Sequence, residues 1–169
     1  MPLDIKPIPV LSDNYAWLLT TPKGERAIVD PGEAGPILDE IGDGRLDMIL
    51  LTHHHADHTA GTEALRERYG AQVYGPRQNQ ERLPRLDHAV EEGDVVSLGN
   101  TKIQVLSTPG HAVGHVSYVV AEVPALFCGD VLFSLGCGRL LEGTAQELFD
   151  SLHRYDSLPD STLVRAGHE

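Results

Sequence analysis

The chain has 169 residues, 41% of them apolar and 22% charged, enough for one domain with a real core and too few for two full ones. Acidic residues outnumber Lys plus Arg by 25 to 13, a net charge of −12, which repels phosphate backbones and argues against a nucleic-acid partner. No apolar run reaches membrane-spanning length and no basic-then-apolar leader opens the chain, so the expectation is a soluble, cytoplasmic protein without a membrane partner.

In chain order, residues 14–20 and 26–29 have the short apolar pattern of strands, and Asp30-Pro31-Gly32 closes the second with a turn. A short helix is expected over 35–41, a strand over 47–51, a helix over 59–69 and a strand over 72–74. Strands follow over 95–98, 102–106, 116–120 and 125–128. The clearest helix covers 144–155, where Thr144 and Glu147 make a capping box and Leu148, Leu152 and Tyr155 share a face. Leu141 is expected to pack beneath it. A last strand, 163–166, is followed only by Gly167, His168 and Glu169. Strands first and strand–helix units later suit an α/β domain over residues 1–169, with two packed sheets flanked by helices.

Histidine placement carries the chemistry. The buried-strand run Met48-Ile49-Leu50-Leu51 leads into Thr52-His53-His54-His55-Ala56-Asp57-His58. In extended backbone, His53, His55 and Asp57 would share one side, with His54 and Ala56 on the other. Three further strands also end in a small residue and a ligand type: Gly110-His111, Gly129-Asp130 and Gly167-His168. Strands ending at one sheet edge would gather His53, His55, Asp57, His58, His111, Asp130 and His168. Seven donors exceed one tetrahedral zinc. Two cations sharing Asp130 would use them all, as in two-metal hydrolases.

These motifs resemble the metallo-β-lactamase superfamily and, within it, hydroxyacylglutathione hydrolase (glyoxalase II). The resemblance covers essentially the whole chain. It rests on Thr52 to His58, Thr108-Pro109-Gly110-His111 with Gly114-His115, and Gly129-Asp130-Val131-Leu132-Phe133. Gly136-Cys137-Gly138-Arg139, Glu142-Gly143-Thr144 and Gly167-His168-Glu169 complete it. It implies a four-layer αββα sandwich lacking the final helix and the C-terminal helical domain, in a chain that is the metal-binding portion of a longer enzyme. It assigns His53, His55 and His111 to one metal and Asp57, His58 and His168 to the other, bridged by Asp130. Zinc is the expected cation, with iron or manganese as alternatives.

The implied reaction is hydrolysis of S-D-lactoylglutathione to D-lactate and glutathione by a hydroxide between the metals, a step in methylglyoxal detoxification. Asp57 would orient that hydroxide and take its proton, and Arg139 would bind glutathione. Leu141 replaces a usual aromatic residue and Val131 a usual Thr. The competing readings are a persulfide dioxygenase-like enzyme with a single iron, and a truncated, non-catalytic metal-binding domain.

Other polar residues have plainer expectations. His54 is read as packed or surface, His115 as structural, and His88 and His153 as surface residues. Asp30 is either a turn residue or an orienter of a metal-binding imidazole. Cys128 is read as a buried strand residue, Cys137 as a turn residue, and both as reduced thiols. His168, next to the last residue, is expected to fray.

Overall fold

A computed structural model describes residues 3–169. Strands β1 (Asp4–Val10), β2 (Asn14–Thr20), β3 (Arg26–Val29), β4 (Met48–Leu50), β5 (Gln72–Pro76) and β6 (His88–Val90) form one sheet in that order. The second sheet contains β7 (Val95–Leu98), β8 (Thr101–Ser107), β9 (Val116–Val120), β10 (Ala125–Gly129) and, at its other edge, a final strand. A small hairpin pairs β11 (Leu132–Phe133) with β12 (Gly136–Cys137). The final strand, β13 (Leu163–Ala166), lies parallel to β10. The helices are α1 (Gly35–Ile41), α2 (Ala56–Thr59), α3 (Thr62–Tyr69) and α4 (Ala145–His153).

Three apolar clusters define the layers. Ile37 and Ile41 of α1 and Leu65 of α3 pack on Ile28, Ile49 and Val73, the outer face of the first sheet. Trp17, Leu19, Val29 and Leu50 meet Ile103, Val105, Tyr118 and Phe127 between the sheets. Leu106, Val119, Leu126 and Cys128 on the far face are covered by Tyr155 and Leu158, just beyond α4. The result is the expected αββα sandwich, and strand alternation alone sorts these side chains between layers.

The strand directions place the site. Strands β8 and β10 both run antiparallel to β9, and β13 runs parallel to β10, so all three end at the same edge. Strand β4 is parallel to β3 and β2 antiparallel to it, so the end of β4 meets the start of β2. Residues 52–58, His111, Asp130, His168 and Asn14 therefore converge on one rim.

Some expectations need correcting. Of the predicted helix 59–69, residues 62–69 form α3, while a separate one-turn helix, α2, precedes it over Ala56–Thr59; α4 ends at His153 before a 3-10 turn over Arg154–Ser157. Strands β1 and β6 were not anticipated. Pro7 and Pro9 mask β1, which tolerates them because it is an edge strand. Leu141 does not pack under α4, since it is about half exposed. The capping box at Thr144 and Glu147 forms as expected.

Candidate metal centre

The run after β4 does not remain extended. His55 is the N-cap of α2, which places Asp57 and His58 on a helical turn. Asp57 thus joins the cluster through a helix and not through strand alternation. Two glycines let the other strand ends approach. Gly129 has φ of 51°, and a Cβ there would stand 2.6 Å from both His115 Nε2 and Thr52 Oγ1. A Cβ on Gly167 would meet His58 Cε1 at 2.6 Å and Asp130 Oδ1 at 2.7 Å.

All seven expected donors come together. Donor atoms of His53, His55 and His111 lie within 4.8 Å of one another, as do those of Asp57, His58, Asp130 and His168. Asp130 reaches both groups: Oδ2 is 3.3 Å from His111 Nε2 and from His168 Nε2, 4.0 Å from His53 Nε2, and Oδ1 is 3.3 Å from His58 Nε2. Asp57 Oδ2 is 3.3 Å from both His58 Nε2 and His168 Nε2.

Outer partners set which ring nitrogen faces inward. His53 Nδ1–H donates to Thr52 Oγ1 (2.9 Å), whose hydroxyl donates to Asp30 Oδ2 (2.6 Å). His58 Nδ1–H donates to the same Asp30 oxygen (3.0 Å), and His111 Nδ1–H to the Arg139 carbonyl (2.8 Å). His55 Nε2–H donates to Glu142 Oε1 (3.3 Å). His53, His55 and His111 are each left with a lone pair directed into the cluster, and His58 turns Nε2 toward Asp57 and Asp130. His55 Nδ1 and His111 Nε2 face each other at 3.1 Å.

The residues fit a cation. His53 Nε2, His58 Nε2 and Asp130 Oδ1 are buried without hydrogen-bond partners, although His58 Nε2 and Asp130 Oδ1 are only 3.3 Å apart. Buried polar atoms left unpaired cost about 1–3 kcal/mol each, and divalent cations held by the two donor groups would satisfy all three. Imidazole and carboxylate donors suit zinc and similar first-row metals.

Charge is divided between the two groups. Burial pushes His53 well below the usual imidazole range and also lowers His55. Contacts with Asp130 and Asp57 raise His168 to about 10. Burial opposes the charge on His58, but Asp130, Asp30 and Asp57 hold its pKa well above the usual value. His168 and His58 keep Asp57 well below the carboxylate range, while His111, His168 and His58 do the same for Asp130 against its burial.

The neighbouring residues sort clearly. Asp30, with φ of 50°, is both the turn residue and the orienter of His58. It also accepts the Thr52 N–H at 2.8 Å. His115 is fully buried, and its Nε2 accepts the Asp130 N–H at 3.3 Å while its Nδ1 lies 3.1 Å from Thr108 Oγ1. Burial lowers it to about 3, which keeps it neutral. His54 neither faces solvent nor packs idly, because its Nε2–H donates to Glu142 Oε1 at 2.9 Å. His88 and His153 are exposed, as expected, and Cys128 is buried. The Arg139 side chain is exposed, and among the described residues it makes no ion pair.

His168 is better anchored than its position suggests. Gly167 N donates to Gly129 O, Tyr15 N to Gly167 O, and the Trp17 indole N–H to Ala166 O, at 2.8–2.9 Å. Three contributors escaped the reading of the site. Asn14 Nδ2 donates to Asp57 Oδ2 at 3.0 Å, Thr52 links His53 to Asp30, and Glu142 receives two imidazoles. Thr52 and Glu142 lie within the family motifs but carry no assigned role there, and Asn14 lies outside them.

The sequence profile described as "Metallo-beta-lactamase superfamily" matches residues 11–168. A hydroxyacylglutathione hydrolase of Cereibacter sphaeroides (strain ATCC 17025) is 48% identical over 100% of this chain, which spans 68% of that relative. The chain belongs to the hydroxyacylglutathione hydrolase family of the metallo-beta-lactamase superfamily. Two solved structures of this superfamily fold are also similar to it. BLEG-1, a B3 metallo-beta-lactamase, matches with a TM-score of 0.87 at 31% identity, covering 98% of this chain and 92% of its own. TTHA1623, solved in a di-iron-bound form, matches at 0.86 with 30% identity, covering 97% and 92%. Membership in this superfamily brings divalent-metal binding with it. No helix among the described residues is long and apolar enough to cross a membrane.

Proposed function

We propose that this chain is a metal-dependent thioester hydrolase that converts S-D-lactoylglutathione and water to D-lactate and glutathione. The observation that carries the reading is the inward set of imidazole and carboxylate donors, in a chain 48% identical to a hydroxyacylglutathione hydrolase. That identity exceeds the 31% shared with the B3 metallo-beta-lactamase, which favours a thioester over a lactam.

In this reading His53, His55 and His111 hold one cation, Asp57, His58 and His168 hold another, and Asp130 spans both. The nitrogen–oxygen donor set suits zinc, and iron or manganese could occupy the same donors. Bound divalent cations would supply Lewis acidity at the acyl oxygen and a water ionisable near neutral pH.

The chain's own residues do the rest. Asn14 fixes Asp57 through Oδ2. Asp57 Oδ1 makes no hydrogen bond among the described residues, and it orients the attacking water and accepts its proton. A cleft of about 450 Å³ beside His168, lined by Tyr15, Phe133, Ser134 and Glu169, accommodates the acyl group. The exposed Arg139 guanidinium engages a carboxylate of glutathione. The leaving thiol, with a pKa of about 8.5, departs as thiolate without a strong general acid. The setting is the cytoplasm, where the reaction serves methylglyoxal detoxification and where two unpaired thiols, Cys128 and Cys137, are at home.

The test is a parallel assay of lactoylglutathione and a simple alkyl thioester on the metal-loaded chain. Hydrolysis of lactoylglutathione at a higher kcat/KM is expected. A fully loaded chain that hydrolyses neither ester overturns the reading.

A further inference from the structure

We infer that Glu142 is a positioning residue that holds His55 with Nδ1 facing the metal cluster and ties that imidazole to the loop carrying Arg139. The assignment of His55 as a metal ligand rests on the function proposed above, while its ring orientation rests on contacts alone.

Glu142 joins three segments distant in sequence. Its Oε1 accepts from His54 Nε2 at 2.9 Å, His55 Nε2 at 3.3 Å and Arg82 Nη1 at 3.1 Å. Its Oε2 accepts the Val113 N–H at 3.0 Å, two residues past His111. The same loop touches His111 again through the Arg139 carbonyl, and Gly143 N donates to Gly110 O at 3.1 Å. One carboxylate thus spans the segment with His53 to His55, the turn with His111 and the loop from Gly138 to Gly143.

The consequence follows from imidazole chemistry. A neutral ring has one N–H and one lone pair. A carboxylate at Nε2 fixes the proton there and leaves the lone pair on Nδ1. That lone pair faces His111 Nε2 at 3.1 Å, where a cation would lie between them. His53, His58 and His111 have outer partners of their own in Thr52, Asp30 and the Arg139 carbonyl. Glu142 fills that role for His55, and does so from a loop on the expected substrate side. His54, His55 and Glu142 could themselves be imagined as a further cation site. The Arg82 guanidinium on the same Oε1 argues against a cation there.

The experiment compares Glu142→Ala and Glu142→Gln with the unaltered 169-residue chain. Nitrogen-15 NMR of metal-free protein reads the His55 tautomer. Zinc titration against a chromogenic chelator reads affinity, with the His111 and His168 imidazole shifts showing which half fills. Wild-type His55 is expected to carry its proton on Nε2. Glu142→Ala should mix the tautomers and weaken zinc binding at His53, His55 and His111 by about 10–100-fold. Binding at Asp57, His58 and His168 should change by less than about threefold, well under that range. Glu142→Gln, which keeps an oxygen acceptor, should retain the tautomer and fall between. An unchanged tautomer with unchanged zinc affinity in Glu142→Ala overturns the inference. Equal weakening of both halves with a lowered Tm in both variants also overturns it, since that is a merely structural effect. A wild-type chain that binds zinc but hydrolyses no thioester would sink the proposed function and leave these readouts intact.

Discussion

The trio of His53, His55 and His111 and the group of Asp57, His58 and His168 share Asp130 but are built differently. Every ring of the trio has an outer acceptor that fixes its orientation. In the second group, among the described residues, only His58 is braced in that way, by Asp30. The Asp57 side chain is 39% exposed and that of His168 is 21% exposed, with Nδ1 3.6 Å from exposed Asp13. The second group also depends on β2 and β13 meeting, through the Asn14–His168 bridge and the Tyr15–Gly167 hydrogen bond. The difference teaches that the trio is preorganised, whereas the other half is assembled from long-range contacts and should release its cation more readily.

The most severe way to break this comparison is to remove the residue common to both halves. Asp130→Ala should lose both cations and reduce hydrolysis to background, as read by metal analysis and thioester assay. Full activity with full metal content would refute the shared role.

The two halves separate in His168→Ala. It should lose one cation per chain, lower kcat by at least about 100-fold, in the range seen when one electrostatic stabiliser is removed, and keep the trio's cation. Zinc titration that shows both cations weakened alike would erase the distinction.

A subtler change sharpens the role of outer partners. Asp30→Asn keeps the shape but weakens the acceptor for Thr52 and His58. Zinc affinity at the second half should fall by about 10-fold. Thermal unfolding should show a loss of about 1–3 kcal/mol from poorly matched buried donors.

The smallest effect belongs outside both halves. Arg139→Ala should raise KM for lactoylglutathione by about 10-fold, the equivalent of one exposed charge-assisted hydrogen bond. Kinetics on a simple thioester should be unchanged. The Arg139 carbonyl that holds His111 survives this substitution, so cation content should also persist.

Much of this centre is legible in the chain because ligand types follow apolar strand runs. Asp130 and His168 come directly after a strand end and a glycine, His111 follows β8 after Thr108, Pro109 and Gly110, and local pattern finds such places. Strand alternation is not what brings Asp57 to His53 and His55, because α2 begins at Ala56 and helical geometry places Asp57. Asn14 was invisible because its partner Asp57 is 43 positions away, and no spacing marks such a pair. Glu142 reads locally as a loop acid, and only the fold brings it to His54 and His55. The layers are readable from periodicity, whereas β1 is hidden by its prolines. The exposed Leu141 shows the limit of inferring packing from proximity to a helix.

The most direct test measures metal content by plasma mass spectrometry beside lactoylglutathione hydrolysis, on the same 169-residue chain, before and after chelation. The account predicts two divalent cations per chain, hydrolysis that disappears with them, and recovery when zinc is returned. Undiminished hydrolysis by cation-free protein, or a single iron per chain with oxygen uptake and no thioester cleavage, would contradict it.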